Sequence, residues 1–302
     1  MLAVLLVISP LFLVIGLGIL LRAVRLADDR WTDVLNRYGL YAGFPALIVK
    51  SLTDLPSIEA IPVTAVALNL AGLNLFLFGT YGLARWLGAG RSLAASLAIC
   101  GTYGNIAYLG LPFIVSVLPG SEATVIAHIA VYLVVLFTSG ILLLEHLRGT
   151  RLSLAAMALS LLRNPLTLAI LVGLALVAGG VRLPVPLAKA IGLVAASASP
   201  TVLLSLGIFV GQGVGLDRDL PRALLLTAVK LLALPTLFAA AWLGLGRDPA
   251  MQVSVLQAGM PVGLTGFALA QIYPLEQRAV AYAVTLSTVL SALTLPAIVQ
   301  LL

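Results

Sequence analysis

The chain reads as an all-α polytopic membrane protein: ten transmembrane helices in two inverted five-helix repeats, with broken fourth and ninth helices. Three observations predict this class. Of 302 residues, 61% are hydrophobic and only 9% charged, and the mean hydropathy is +1.15, whereas a soluble domain carries about 25% charged residues. Trimming the apolar runs at their charged or Pro/Gly boundaries leaves ten segments of spanning length. Two of them, the fourth and the ninth, are interrupted by glycine, proline and polar residues at corresponding places in the two halves.

The first span, residues 2–21, has no basic region ahead of it and is long for a signal-peptide core, so it is expected to stay as an uncleaved helix. The second covers 33–53 and contains Pro45. The third, 61–86, and the fourth, 92–118, are long enough to tilt or break. The fourth holds Gly101-Thr102-Tyr103-Gly104-Asn105-Ile106-Ala107-Tyr108-Leu109-Gly110-Leu111-Pro112. The fifth, 122–145, carries a lone His128, which reads as an interhelical hydrogen-bonding group ahead of a proton relay. Residues 146–163, flanked by Arg148, Arg151 and Arg163, are too short and too basic at their ends to span and are expected to lie on the cytoplasmic surface. The remaining spans are 164–181, 186–210, 220–243, 249–272 and 277–301. Within the ninth lies Gln257-Ala258-Gly259-Met260-Pro261-Val262-Gly263-Leu264-Thr265-Gly266. Because the loops are short, the chain forms one membrane domain: a first repeat over 1–145, a linker over 146–163 and a second repeat over 164–302.

Charge sets the orientation. With the N-terminus outside, twelve arginines from Arg22 to Arg278 fall at inner loops and span ends, and only Lys50, Arg182, Lys189 and Arg247 fall at outer ones. The positive-inside rule therefore puts both termini outside a cell (inner) membrane. Internal symmetry points the same way. Pro10 and Pro165 open the first and sixth spans, Pro45 and Pro200 fall in the second and seventh at the same offset, and Arg91 and Arg247 precede the two broken spans. Five spans separate counterparts, and an odd number turns the second half upside down.

The chemistry concentrates at the breaks. Pro112 and Pro261 lack a backbone N–H, and the glycines permit angles a helix does not use. In hydrocarbon such a break survives only against protein or a wet cavity, and paired breaks are where carriers hold substrates. Half-helix N-termini present free N–H groups and a positive dipole end, which attract anions. Thr102, Asn105, Gln257 and Thr265 add hydrogen-bonding groups, Tyr103 adds a ring with a hydroxyl, and Gly104, Gly259 and the two prolines shape the backbone. Lys230 lies about 14 Å into the eighth span, beyond easy snorkelling, so it must face a partner or a cavity. It reads either as a cap on carbonyls freed at a break or as an electropositive element for an anion. All eleven acidic residues fall in loops or at span ends, which argues against a cation substrate.

These features select a small organic anion as substrate and the lipid bilayer as environment. They leave uniport, proton coupling and sodium coupling open, as well as a homodimer. The net charge of +6 follows membrane sidedness and does not signal nucleic acid. Cys100 is the only cysteine, so neither an internal disulfide nor a thiolate metal cluster is available, and no cofactor is expected. A phosphate-binding P-loop, a zinc HExxH motif and a G-x-S-x-G elbow are all absent, so the chain is not expected to be an enzyme. A receptor on a carrier fold is the other class, and the sequence offers no output domain for it.

Gly104-Asn105 followed by Leu109-Gly110-Leu111-Pro112, then Arg163-Asn164-Pro165, then Ala198-Ser199-Pro200-Thr201-Val202-Leu203-Leu204-Ser205-Leu206-Gly207, resemble the auxin efflux carrier family. So do Met260-Pro261 and the closing run from Leu286 to Pro296. The resemblance covers essentially the whole chain and reaches more distantly to bile acid sodium symporters. It implies a scaffold domain and a transport domain, a crossover of the fourth and ninth spans at the substrate site, and elevator-like alternating access. Its site residues map onto Asn105 with the flanking Thr102 to Pro112 and onto the break at Pro261. Where relatives often carry Asn shortly after that proline, this chain has Thr265, so auxin itself is not implied.

Overall fold

The computed structural model of the chain describes residues 2–54, 62–148, 162–163, 165–213 and 218–302; most of the expected surface linker lies outside them. Helix α1 spans Leu2–Ala23. Helices α2 (Asp29–Tyr38) and α3 (Phe44–Thr53) run into each other through a π-turn at Gly39–Gly43. Helix α4 spans Val63–Trp86. Helix α5 (Arg91–Thr102) stops at the first break, after which a π-turn at Ile106–Gly110 leads into α6 (Leu111–Val117). Helices α7 (Glu122–Val131) and α8 (Phe137–Arg148) join through Tyr132–Leu136. Then come α9 (Pro165–Ala178), α10 (Val185–Val210), and α11 (Leu220–Ala228) joined to α12 (Leu234–Gly244) through Val229–Ala233. Helix α13 (Gln252–Ala258) stops at the second break, α14 (Leu264–Ile272) resumes, and α15 spans Gln277–Leu301.

Proline explains three of these π-turns, which end just before Phe44-Pro45, Leu111-Pro112 and Leu234-Pro235. The proline ring crowds the carbonyl one turn back and offers it no N–H, and a wider turn absorbs both effects. Among the described residues, four helices are long and apolar enough to cross a membrane: α4, α10, the joined Leu220–Gly244 helix and α15. Shorter apolar helices accompany them, because breaks and π-turns divide the other apolar runs.

The helices pack in two sets. In one, α1 lies along α10 and α9 along α3, with α10 also against α2 and α3. Gly18 and Gly207 bring α1 and α10 into backbone contact: a Cβ on Gly18 would sit 2.8 Å from the Gly207 Cα, and one on Gly207 2.9 Å from the Gly18 Cα. Ser205 ties α10 to α2 by donating to Asn36 Oδ1 at 2.9 Å. In the other set, α4 packs on α5 and α7, α11 on α15, and α12 on α13.

Polar contacts knit one end of the second set. Arg222 meets Glu276 at 3.0 Å, and the Glu276 N–H donates to Ser96 Oγ at 2.9 Å. The Tyr273 hydroxyl donates to Glu145 at 2.7 Å beneath the Arg148 guanidinium. Burial, together with the Glu145 carboxylate, pushes the Tyr273 phenol up to about 12.

Candidate functional site

The two breaks cross. After Thr102 the chain extends through Tyr103 (φ −79°, ψ 90°), and Gly104 pairs antiparallel with Val262. Two backbone bonds close the crossing, Asn105 N–H to Pro261 O and Gly263 N–H to Tyr103 O, each 2.8 Å. The Val262 N–H donates to Ser287 Oγ on α15 at 3.0 Å. The groups that glycine and proline release from the helices are thus satisfied by each other, as burial in a membrane requires.

Both half-helices that start at the crossing begin at one cavity of about 220 Å³. Ile106, Ala107 and Tyr108 contribute the first turn of one, and Leu264 and Thr265 that of the other. First-turn N–H groups have no intrahelical acceptor, so two positive dipole ends face a single space. Asn105 is among the lining residues and is only 4% exposed, and its buried side-chain Nδ2 has no hydrogen-bond partner. Tyr132, from the π-turn between α7 and α8, is also a lining residue, and its hydroxyl is buried and unpartnered. Leu40, Ile129 and Leu166 supply apolar walls. The arrangement offers donors and positive dipoles in a partly apolar pocket, which suits a small carboxylate-bearing molecule.

Of the residues singled out from sequence, Gly104, Asn105 and Thr265 line the cavity, and the others sit behind it. Tyr103 is fully buried, with its hydroxyl donating to Leu136 O at 2.7 Å and its ring edge-on to Tyr132, centroids 5.4 Å apart. It braces Tyr132. Thr102 and Gln257 are buried, each with an unpartnered polar atom, at the ends of α5 and α13. Gly259 leaves room for Ile298 of α15, Pro261 gives its carbonyl to the crossing, and Pro112 opens α6. Lys230 is wholly buried and donates from Nζ to Ala258 O at 2.9 Å, capping the end of α13. It also borders Gly104, where a Cβ would stand 3.2 Å from Nζ. Gly104 thus touches both the cavity and the lysine. Asn74, a polar residue within the apolar helix α4, donates to Leu70 O within its own helix.

Sequence reasoning passed over Tyr132, Tyr108 and the backbone N–H groups around Ile106 and Leu264. Tyr132 carried a usable signal, a polar tip inside an apolar run one turn from His128. The N–H groups carried none of their own beyond the breaks that free them.

Residues 3–299 match the profile of a family described as membrane transport protein. The chain is 26% identical over 304 residues, 97% of its own length and 94% of the relative's, to a Rhizobium meliloti (strain 1021) protein named "Putative malonate transporter". It is 30% identical over 301 residues, 96% and 95% of the two chains, to a Methanothermobacter thermautotrophicus protein named "Uncharacterized transporter".

Proposed function

Because this chain belongs to the auxin efflux carrier family of membrane transport proteins, we propose that it carries small organic anions, carboxylates such as malonate, by elevator-type alternating access. The observation that carries the substrate class is the cavity at the crossing, where two half-helix N-termini meet and where the lining residues Asn105 and Tyr132 each hold an unpartnered polar atom. The name of the Rhizobium relative favours a short dicarboxylate, and a cavity of about 220 Å³ has room for one.

The elevator reading rests on the two packing sets. The first comprises α1, α2, α3, α9 and α10, and the second comprises both broken spans with α4, α7, α8, α11, α12 and α15. The second set would move as a transport domain along the first. The inverted repeat is supported by pairs that match on exchanging the halves. The first span packs on the seventh and the sixth on the second, while the third packs on the fourth and the eighth on the ninth. Polar contacts between loops favour the ten-span alternation of sides, and the arginine distribution orients it with both termini outside. Arg22 with Asp29, Gln212 with Asp29, Arg222 with Glu276, and Tyr273 with Glu145 each join groups assigned to the inner side.

Binding to purified protein tests the substrate class. Malonate at one hundred times its Kd should stabilise the fold by about 2.7 kcal/mol, whereas malonamide and 1,3-diaminopropane should not. Equal stabilisation by the neutral diamide would remove the anion reading.

A further inference from the structure

We infer that His128 takes up the proton that balances the second negative charge of a bound dicarboxylate, so that a dianion moves with one proton. The inference rests on the organic-anion reading above and adds the coupling ion and its carrier.

His128 is 2% exposed on α7, between the crossing and α4. It approaches Gln257 and the Ala65 backbone, yet neither ring nitrogen makes a hydrogen bond of normal geometry, and Gln257 Nε2 is unpartnered as well. Its helix neighbours Ile129 and Tyr132 line the substrate cavity. Gln257 and Ala258 are consecutive at the C-terminal end of α13, and Ala258 O receives Lys230. Lys230 therefore meets the negative end of this half-helix, where positive charge is favoured, and His128 approaches the Gln257 side chain beside it. The anion cavity lies at the positive ends of the other two half-helices.

Among the described residues, no carboxylate stands by to neutralise a charged imidazole. The elements packed against α7 are α3, α4, α6, α9 and the Tyr132–Leu136 turn, and Gln257 brings α13. Their titratable and charged groups are Lys50, paired with Asp54 at an exposed end, Tyr81 and Arg85, about 24 and 30 Å along α4 from Ala65, and Tyr132. Glu122 begins α7 itself, more than a turn away.

Charge moved through a low-dielectric membrane is expensive, so a loaded carrier approaches neutrality. The Lys230 ammonium offsets one negative charge. A dianion leaves one over, and a proton passing from water to an imidazole nitrogen of His128 removes the excess. On release the proton returns to water. A monoanion needs no such proton.

Calorimetric titration of the purified full chain at about pH 7.5, in two buffers of different ionisation enthalpy, reads proton uptake directly. Malonate should bind with uptake of about one proton and monomethyl malonate with about none. Malonate affinity should fall by up to tenfold per pH unit as pH rises, because the proton is bound in the complex and absent before it. In His128→Gln, malonate should bind without proton uptake and more weakly, while monomethyl malonate keeps its affinity, which also reports folding. Should that variant not fold, the comparison of the two ligands on the natural protein decides alone. Equal uptake with both ligands, no uptake with malonate, or full uptake retained in His128→Gln overturns the inference while leaving the anion reading intact. Failure of both ligands to bind removes both.

Discussion

Gly263 and Gly104 face each other across the crossing, and their replacement by alanine should have very different costs. A Cβ on Gly263 would lie 2.8 Å from Gly104 O, 3.0 Å from Gly104 C and 3.3 Å from Asn105 N. All three are backbone atoms of the opposing strand. Gly263 has φ −78° and ψ 150°, angles any residue adopts, so room, not conformation, demands glycine there. Making room means parting the strands and stretching the bonds from Asn105 N–H to Pro261 O and from Gly263 N–H to Tyr103 O. Each bond is worth about 1 kcal/mol net, and a buried group left unpaired costs about 1–3 kcal/mol. Gly263→Ala should therefore destabilise by roughly 2–5 kcal/mol, less about 0.4–1 kcal/mol returned by a stiffer unfolded chain. At Gly104 the new Cβ would meet Lys230 Nζ at 3.2 Å and Cε at 3.3 Å, the far end of a flexible side chain that can shift by a few tenths of an ångström. Gly104→Ala should stay within about 1 kcal/mol of the natural protein in stability, while weakening anion binding by disturbing the Lys230 ammonium. Thermal unfolding and malonate titration on the same preparations separate the two. Equal stability of both variants, or a more harmful Gly104→Ala, would refute the backbone-crowding argument.

Three further outcomes follow from the same geometry. Asn105→Ala should reduce malonate affinity about ten- to a hundredfold, the loss of one hydrogen bond to a charged group at roughly 1.5–3 kcal/mol, with the melting temperature retained; unchanged affinity would return Asn105 to a structural role. Lys230→Met, which removes both the charge and the cap on Ala258 O, should lower stability by about 1–3 kcal/mol and weaken malonate and its monomethyl ester but not a neutral ligand; equal loss for charged and neutral ligands would leave the lysine as architecture. In a Cys100-free background, cysteines at Pro119 and Arg182 should react with an impermeant thiol reagent from outside, and those at Gly90 and Arg218 only from inside; all four reacting from one side would overturn the inverted repeat.

The membrane class and the position of both breaks could be read from the sequence alone, because each is written in local chemistry. A run of apolar residues has nowhere to go but lipid, and glycine or proline within it interrupts the backbone ladder wherever it sits. That logic identified Asn105 and Thr265, which do line the cavity, and required a partner for Lys230. It could not say which way the residues of a break would turn. In a helix, side chains fan out at a fixed angle, but at Tyr103 and Gly104 the extended backbone sends neighbours to opposite sides. Which side meets the cavity depends on the strand that crosses them, more than 150 positions away in the chain. So Tyr103 turned inward to Leu136 O, Tyr132 came forward from another helix, and Lys230 found the Ala258 carbonyl. Local sequence determined where the helices had to fail, and only the tertiary structure decided what each failure faces, because an unpaired backbone group is satisfied by whatever packing brings to it.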